Sequence, residues 1–212
     1  EVNVPEGYTS TVSGDAKNGF TITNSHTPET TQVSGTKTWN DSKDQDGKRP
    51  GSITVKLLAN GIEKASKTVT AKDDWKYSFT NLPKYADGQL ISYTVTEDGV
   101  EDYQTTISGY DITNSYTPGK TSITVTKAWS DNNDQDGKRP QDIKVQLYAG
   151  EDKCGEEVTL NTGNNWSYIW TGLDVKKAGT VISYSVKEVN VPEGYTSTVS
   201  GDAKNGFTIT NS

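Results

Sequence analysis

Residues 37–61 read KTWNDSKDQDGKRPGSITVKLLANG, and residues 127–150 read KAWSDNNDQDGKRPQDIKVQLYAG. Both carry DQDGKRP, and both follow it with apolar residues at every second position. Ile53, Val55 and Leu57 do so in the first stretch, and Ile143, Val145 and Leu147 in the second. A period of two is that of a strand with one buried face. The correspondence continues downstream in order. WKYSFTNL (75–82) matches WSYIWTGL (166–173), ISYTVTE (91–97) matches ISYSVKE (182–188), and DITNS (111–115) matches TITNS (208–212). A β-rich unit of about 90 residues is therefore present twice.

A second repeat overlies the first. Residues 1–25, EVNVPEGYTSTVSGDAKNGFTITNS, recur without a change at 188–212. The organisation expected is a tail of late strands from an earlier copy (1–28), then two homologous domains at 29–118 and 119–212. Short junctions at Thr27-Pro28 and Tyr116-Thr117-Pro118-Gly119 leave little linker between them. Gly, Pro, Asn and Asp punctuate the apolar runs at sandwich spacing, so each domain is predicted to be an antiparallel β-sandwich. Only Asp174–Ala178 leans towards helix.

Composition poses a problem for that fold. Val, Ile, Leu and Phe number 17, 11, 7 and 3 among 212 residues. That is just under the roughly 20% at which chains tend to disorder. The net charge of −7 is too small for disorder by self-repulsion, and 11 Tyr, 5 Trp and 30 Thr are residues that suit a pleated surface. A pI near 4.8 argues against nucleic-acid partners, and no apolar run reaches the ~18 residues of a membrane-inserting helix. The acidic opening (Glu1, Glu6) lacks the layout of a secretory signal, so a mature segment is expected. The one cysteine, Cys154, excludes an internal disulfide or a cysteine-built zinc site. A fold so short of aliphatic residues and disulfides needs another staple.

Strand parity points to one. In the second domain, Lys127 falls in step with Ile123, Val125 and Trp129. Glu188 follows Ile182, Tyr184 and Val186, and Asn211 follows Phe207 and Ile209. The first domain repeats the pattern: Lys37 with Val33 and Trp39, Glu97 after Ile91, Tyr93 and Val95, and Asn114 after Tyr110 and Ile112. Buried charge must pair or be neutralised. One reading is a buried Lys–Glu ion pair with Asn as hydrogen-bond partner, or strand ends that have reached solvent. The other is chemical. Desolvation favours a neutral amine beside a protonated carboxylic acid, the amine is a nucleophile, and the acid can polarise the Asn carbonyl and shuttle protons. Attack on the carboxamide would expel ammonia and leave an amide between two side chains.

The series K-x-W-x-D…DQDGKRP, then YTVTE, then ITNSYTP resembles the Cna protein B-type (collagen adhesin B-repeat) domains of Gram-positive surface adhesins. The resemblance covers essentially residues 30–212. It implies a transthyretin-like (inverse immunoglobulin) β-sandwich and an intramolecular Lys–Asn isopeptide bond promoted by an acidic residue. By position, Lys37 would join Asn114 with Glu97 as promoter, and Lys127 would join Asn211 with Glu188. It further implies a non-enzymatic stalk or spacer of an extracellular, cell-wall-anchored protein, needing no cofactor and no metal, with adjacent repeat units as partners. A host-ligand (extracellular matrix) binding module and a pilus-shaft subunit are the alternatives.

Other motifs carry less. The DQDGKRP turns resemble part of a calcium loop, but Ile53 and Ile143 stand where a closing Glu belongs, so solvated acidic turns are expected. Trp39, Trp75, Trp129, Trp166 and Trp170 read as core before they read as a sugar platform. His26 has no partner for metal or catalysis, and Cys154 reads as an exposed, incidental thiol. Residues 1–25 contain Glu1 and Asn24, copies of Glu188 and Asn211, with no preceding lysine. They are expected to dock by strand exchange on another copy, where Asn24 could link to the neighbour's Lys127 counterpart.

Overall fold

The computed structural model describes residues 1–212. It opens with an isolated hairpin, β1 (Thr9–Asp15) and β2 (Gly19–Ser25). The first domain follows with β3 (Thr30–Asn40), β4 (Ser52–Ala59), β5 (Ile62–Thr70), β6 (Lys76–Pro83), the short β7 (Tyr85–Ala86) and β8 (Gln89–Leu90), β9 (Tyr93–Glu97), β10 (Gln104–Ser108) and β11 (Asp111–Ser115). One sheet has the order β10-β11-β3-β6 and the other β5-β4-β9. The first and last strands, β3 and β11, are parallel neighbours, with Lys37 opposite Ile112 and Asn114 opposite Trp39.

The second domain repeats this plan with β12 (Lys120–Trp129), β13 (Asp142–Ala149), β14 (Asp152–Lys153), β15 (Val158–Asn161), β16 (Ser167–Asp174), β17 (Lys176–Lys177), β18 (Thr180–Val181), β19 (Tyr184–Val189), β20 (Ser197–Asp202) and β21 (Gly206–Asn211). Its sheets run β16-β12-β21-β20 and β14-β13-β15, with β19 on the other side of β13. Again first and last strands are parallel neighbours, Lys127 opposite Ile209 and Asn211 opposite Trp129. By contact density the chain divides into Glu1–Asn40 with Pro50–Ser115, and Asp41–Arg49 with Tyr116–Ser212.

Each domain packs its two sheets over its own small core. The first is built on Val33, Val55, Leu57, Val69 and Ile112, the second on Ile123, Val125, Val145, Leu147, Leu160 and Ile209. These are the alternating residues of the repeats, so period-two burial is what turns each segment into a strand of a two-layer fold. Asp174–Ala178 is not helical. It ends β16 and enters the β17–β18 ladder, whose turn places Ala178 (φ 48°) and Gly179 (φ 79°) both in the left-handed region. A tight hairpin turn demands that geometry. Helix is confined to two 3₁₀ turns, Ala71–Asp73 and Thr162–Asn164.

Candidate functional site

The two parallel strand pairs place Lys and Asn diagonally on one inner face, and the facing sheet supplies Glu. Glu97 lies opposite Val55 on β9, and Glu188 opposite Val145 on β19. In each domain the glutamate contacts one of the other two groups. Lys37 is 3% exposed and Asn114 fully buried; Lys127 is 4% exposed and Asn211 fully buried.

In the first domain Lys37 Nζ lies 2.7 Å from Glu97 Oε1, with neither side chain reaching solvent. Both polar atoms of the Asn114 carboxamide are buried without a hydrogen-bond partner. An amide in that condition costs on the order of 1–3 kcal/mol per unmet group, which a folded protein seldom leaves uncompensated. In the second domain the acid faces the amide instead: Asn211 Nδ2 donates to Glu188 Oε1 at 2.9 Å, and Asn211 Oδ1 is buried without a partner. Lys127 Nζ donates to the Ala128 carbonyl at 2.9 Å. The Oε1 atom of the glutamate thus touches the amine in one domain and the amide in the other. A carboxyl that reached both groups in one domain could carry a proton between them. A half-turn of the Asn211 carboxamide would give its oxygen to a protonated carboxyl, the geometry that polarises the carbonyl.

Burial makes both amines easier to deprotonate than an ordinary lysine. Burial lowers the pKa of Lys37 against the pull of Glu97. Burial lowers that of Lys127 to about 8; attraction to Glu188 and Asp131 opposes the shift, and Arg139 adds to it. At neutral pH roughly a tenth of Lys127 is then the free amine, against less than a thousandth for an ordinary lysine.

Aromatic rings close each site from above. Lys37 Nζ sits 4.5 Å from the Trp39 ring centre and Lys127 Nζ 4.0 Å from that of Trp129. Edge-on packing extends the cover through Trp75 and Tyr103 in the first domain, and through Trp166 and Tyr195 in the second. Trp75 (φ 57°) and Trp166 (φ 55°) are in the left-handed region, where a bulky residue is an outlier. Their carbonyls accept the backbone N–H of the two buried lysines, Lys37 at 2.7 Å and Lys127 at 2.8 Å. Parity alone had no means of finding this feature, because it assumes extended backbone throughout.

The sequence model of the Cna protein B-type domain matches residues 33–115 and 123–212. The chain belongs to that family. A collagen adhesin of Staphylococcus aureus is 49% identical over 211 residues, a match that spans all of this chain and 18% of that protein. The crystal structure of two B repeat units (B1B2) of the S. aureus collagen binding protein is 49% identical, with a TM-score of 0.52, covering 97% of this chain and 55% of that one. The structure of a single B repeat unit of the same protein is 51% identical, covering 86% of this chain and 98% of that one, with a TM-score of 0.43. The chain therefore spans about a fifth of the curated relative it matches.

The remaining candidates in these Cna B-type domains have structural employment. In the first acidic turn Asp41 accepts from the Arg49 guanidinium at 2.6 and 3.0 Å, and Asp44 accepts the Arg49 backbone N–H at 2.9 Å. Asp131, Asp134 and Arg139 repeat this, and the Tyr195 hydroxyl donates to Asp131 at 3.0 Å. Those contacts hold Asp131 down at about 2, the Arg139 hydrogen bond contributing most. Trp170 is core, whereas the other four tryptophans are half-buried and engage one another or a tyrosine. His26 packs at a tilt against Tyr8, ring centres 5.2 Å apart. Cys154 is not the exposed thiol expected: it is half-buried against the second core, because β14 folds back along β13 and carries the following residue inward. Gln146 is buried on the outer face of β13, its amide donating to the Leu147 and Gly155 carbonyls; the parity pattern gives no hint of this.

Proposed function

We propose that the chain is a structural stalk repeat of a Gram-positive, cell-wall-anchored adhesin. In this reading each domain is closed by an isopeptide bond formed by its own side chains. Lys37 joins Asn114 with Glu97 as promoter, and Lys127 joins Asn211 with Glu188. The observation that carries it is the same buried Lys–Glu–Asn cluster in both domains, joining first strand to last. The B repeats of the collagen adhesin support the placement in a surface protein.

The chemistry balances without a cofactor. The neutral amine attacks Cγ of the asparagine while the glutamic acid protonates or hydrogen-bonds Oδ1. The glutamate then moves a proton from the lysine nitrogen to Nδ2. The Cγ–Nδ2 bond breaks, ammonia leaves, and an Nζ–Cγ amide remains. Burial supplies the free amine, and fixed neighbours supply effective concentration. Each cluster reacts once, so the process is maturation and not turnover. Tryptic digestion followed by fragment-ion sequencing tests it: branched peptides joining Lys37 to Asn114 and Lys127 to Asn211 are expected, and unmodified linear peptides at those positions would refute it.

Exposure of one element supports a further partner. Phe20 and Ile22 of the hairpin are 64% and 53% exposed, while their identical copies Phe207 and Ile209 are 8% and 0% exposed. Glu1 and Asn24 are already in contact, Asn24 Nδ2 donating to Glu1 Oε1 at 3.2 Å as Asn211 does to Glu188. Residues 1–25 accordingly complete a second-type domain belonging to another repeat, with Asn24 opposite that domain's counterpart of Lys127. Lys127 of another copy is open to Asn24 only when it has not joined its own Asn211, so the test is denaturing electrophoresis of an Asn211→Ala chain refolded at high concentration: a covalent ladder supports intermolecular linkage through Asn24, and monomer alone excludes it.

A further inference from the structure

Each glutamate of the clusters has two carboxyl oxygens, and only Oε1 faces the reacting groups. Oε2 is held from the other side in every copy. The Thr105 hydroxyl donates to Glu97 Oε2 at 3.1 Å, and the Ser197 hydroxyl donates to Glu188 Oε2 at 2.6 Å. In the hairpin Ser10 donates to Glu1 Oε2 at 3.0 Å. The three hydroxyls share one place in the fold: Thr105 pairs across the ladder with Asn114, Ser197 with Asn211, and Ser10 with Asn24. The residue facing each candidate asparagine on the adjacent strand is therefore one whose hydroxyl reaches the acid. Thr105 is exposed and Ser10 and Ser197 half-buried, and all three copies carry a hydroxyl here although the residue changes between Thr and Ser.

We propose that Thr105 and Ser197 are positioning residues for isopeptide formation, fixing the rotation of Glu97 and Glu188 so that one oxygen is committed to the amine and amide. This rests on the isopeptide reading above. A carboxyl free to rotate presents either oxygen, at varying depth, to a proton transfer that depends on hydrogen-bond reach. A hydroxyl donor anchors one oxygen and leaves the other the single path between Lys Nζ and Asn. The hydroxyl touches neither reacting atom, so it acts through the glutamate alone. Thr105 shares its face with Ile107 and Ser197 with Val199, the face that carries Asn114 and Asn211 on the next strand, but these strands lie largely open to solvent, so both look like ordinary surface residues until the register is known.

The test uses the full chain, isolated unfolded and unreacted from inclusion bodies, refolded by dilution, and quenched at intervals for intact mass. Wild type is expected to lose ammonia twice. Ser197→Ala and Thr105→Val should each slow one loss by roughly 10- to 100-fold, the scale of a misplaced catalytic group. Ser197→Thr and Thr105→Ser should restore the rate. In a Lys127→Ala background, where no bond can form in that domain, Ser197→Ala should still unfold cooperatively in urea, its midpoint lowered only by the one hydrogen bond lost. Wild-type rates in the hydroxyl-less variants would overturn the proposal, as would failure of Ser197→Ala to fold in the lysine-less background, which would make the contact merely structural. Absence of any ammonia loss from wild type is a distinct outcome that overturns the isopeptide reading itself.

Discussion

Pulling on the second domain should separate a bonded from an unbonded chain by length. Force enters at the start of β12 and leaves past the end of β21, strands that lie parallel and adjacent. With Lys127 joined to Asn211, load passes along residues 120–127, across the amide, and out at Ser212. Residues 128–210 lie off that path. Lys127→Met keeps the volume of the stem, removes the nucleophile, and returns those 83 residues to the load path. At about 3.3–3.6 Å per extended residue, unfolding should then release roughly 280 Å of contour. The assay is single-molecule force spectroscopy on the chain flanked by marker domains of known extension. Wild type should show no such step before the markers have all unfolded, and Lys127→Met should show one per molecule. A full-length step in wild type would refute the reasoning, because it would mean that the first and last strands are held by hydrogen bonds alone.

Thermal unfolding reads the same link through the denatured state. The loop from Lys127 to Asn211 holds 85 residues. Closing it should stabilise by about 4–5 kcal/mol in the chain-entropy treatment, so Lys127→Met should lower the second domain's Tm by roughly 15–30 °C in calorimetry. A shift of only a few degrees would count against a covalent closure. The rate of bond formation should also depend on pH in a direction that identifies the mechanism. The reactive pair of free amine and protonated acid holds one proton, and the pair loses it as Lys127 titrates at about 8. The rate followed during refolding should therefore fall about tenfold per unit above that pH; a rise over the same range would mean that the amine acts without a proton from Glu188. In an unbonded Asn211→Ala chain, the lowered pKa of Lys127 penalises folding fully below about 8. That penalty fades as pH rises towards the lysine's ordinary value, so stability should increase by about 3 kcal/mol across the window. Urea titrations of the variant should show this rise and the bonded wild type should lack it; no difference between them would refute the burial of a titrating amine.

Much of the arrangement was legible because the chain is written in strands. Period-two alternation in Val33–Lys37, Ile91–Glu97 and Ile112–Asn114 placed the polar residues on inner faces, and duplication let each domain check the other. The parallel pairing of first and last strands could not be read from parity, which reports faces and not neighbours. Left-handed Trp75 and Trp166 escaped for a related reason: an alternating count assumes extended backbone, and these residues leave it. Thr105 and Ser197 are in step with Ile107 and Val199 on strands that lie largely open to solvent, so only the ladder register shows that they face the asparagines. The helical leaning of Asp174–Ala178 yielded to a hairpin, because an Ala-Gly pair in left-handed conformation reverses the chain there. The scarcity of Val, Ile, Leu and Phe has its physical counterpart in the clusters themselves, which occupy core volume with Lys, Glu and Asn.

Intact mass under denaturing conditions tests the central claim most directly. The purified chain should weigh less than its sequence by the mass of two ammonia molecules, with Lys37→Ala and Lys127→Ala each recovering one of them and the double variant recovering both. A wild-type chain at its full sequence mass would contradict the account.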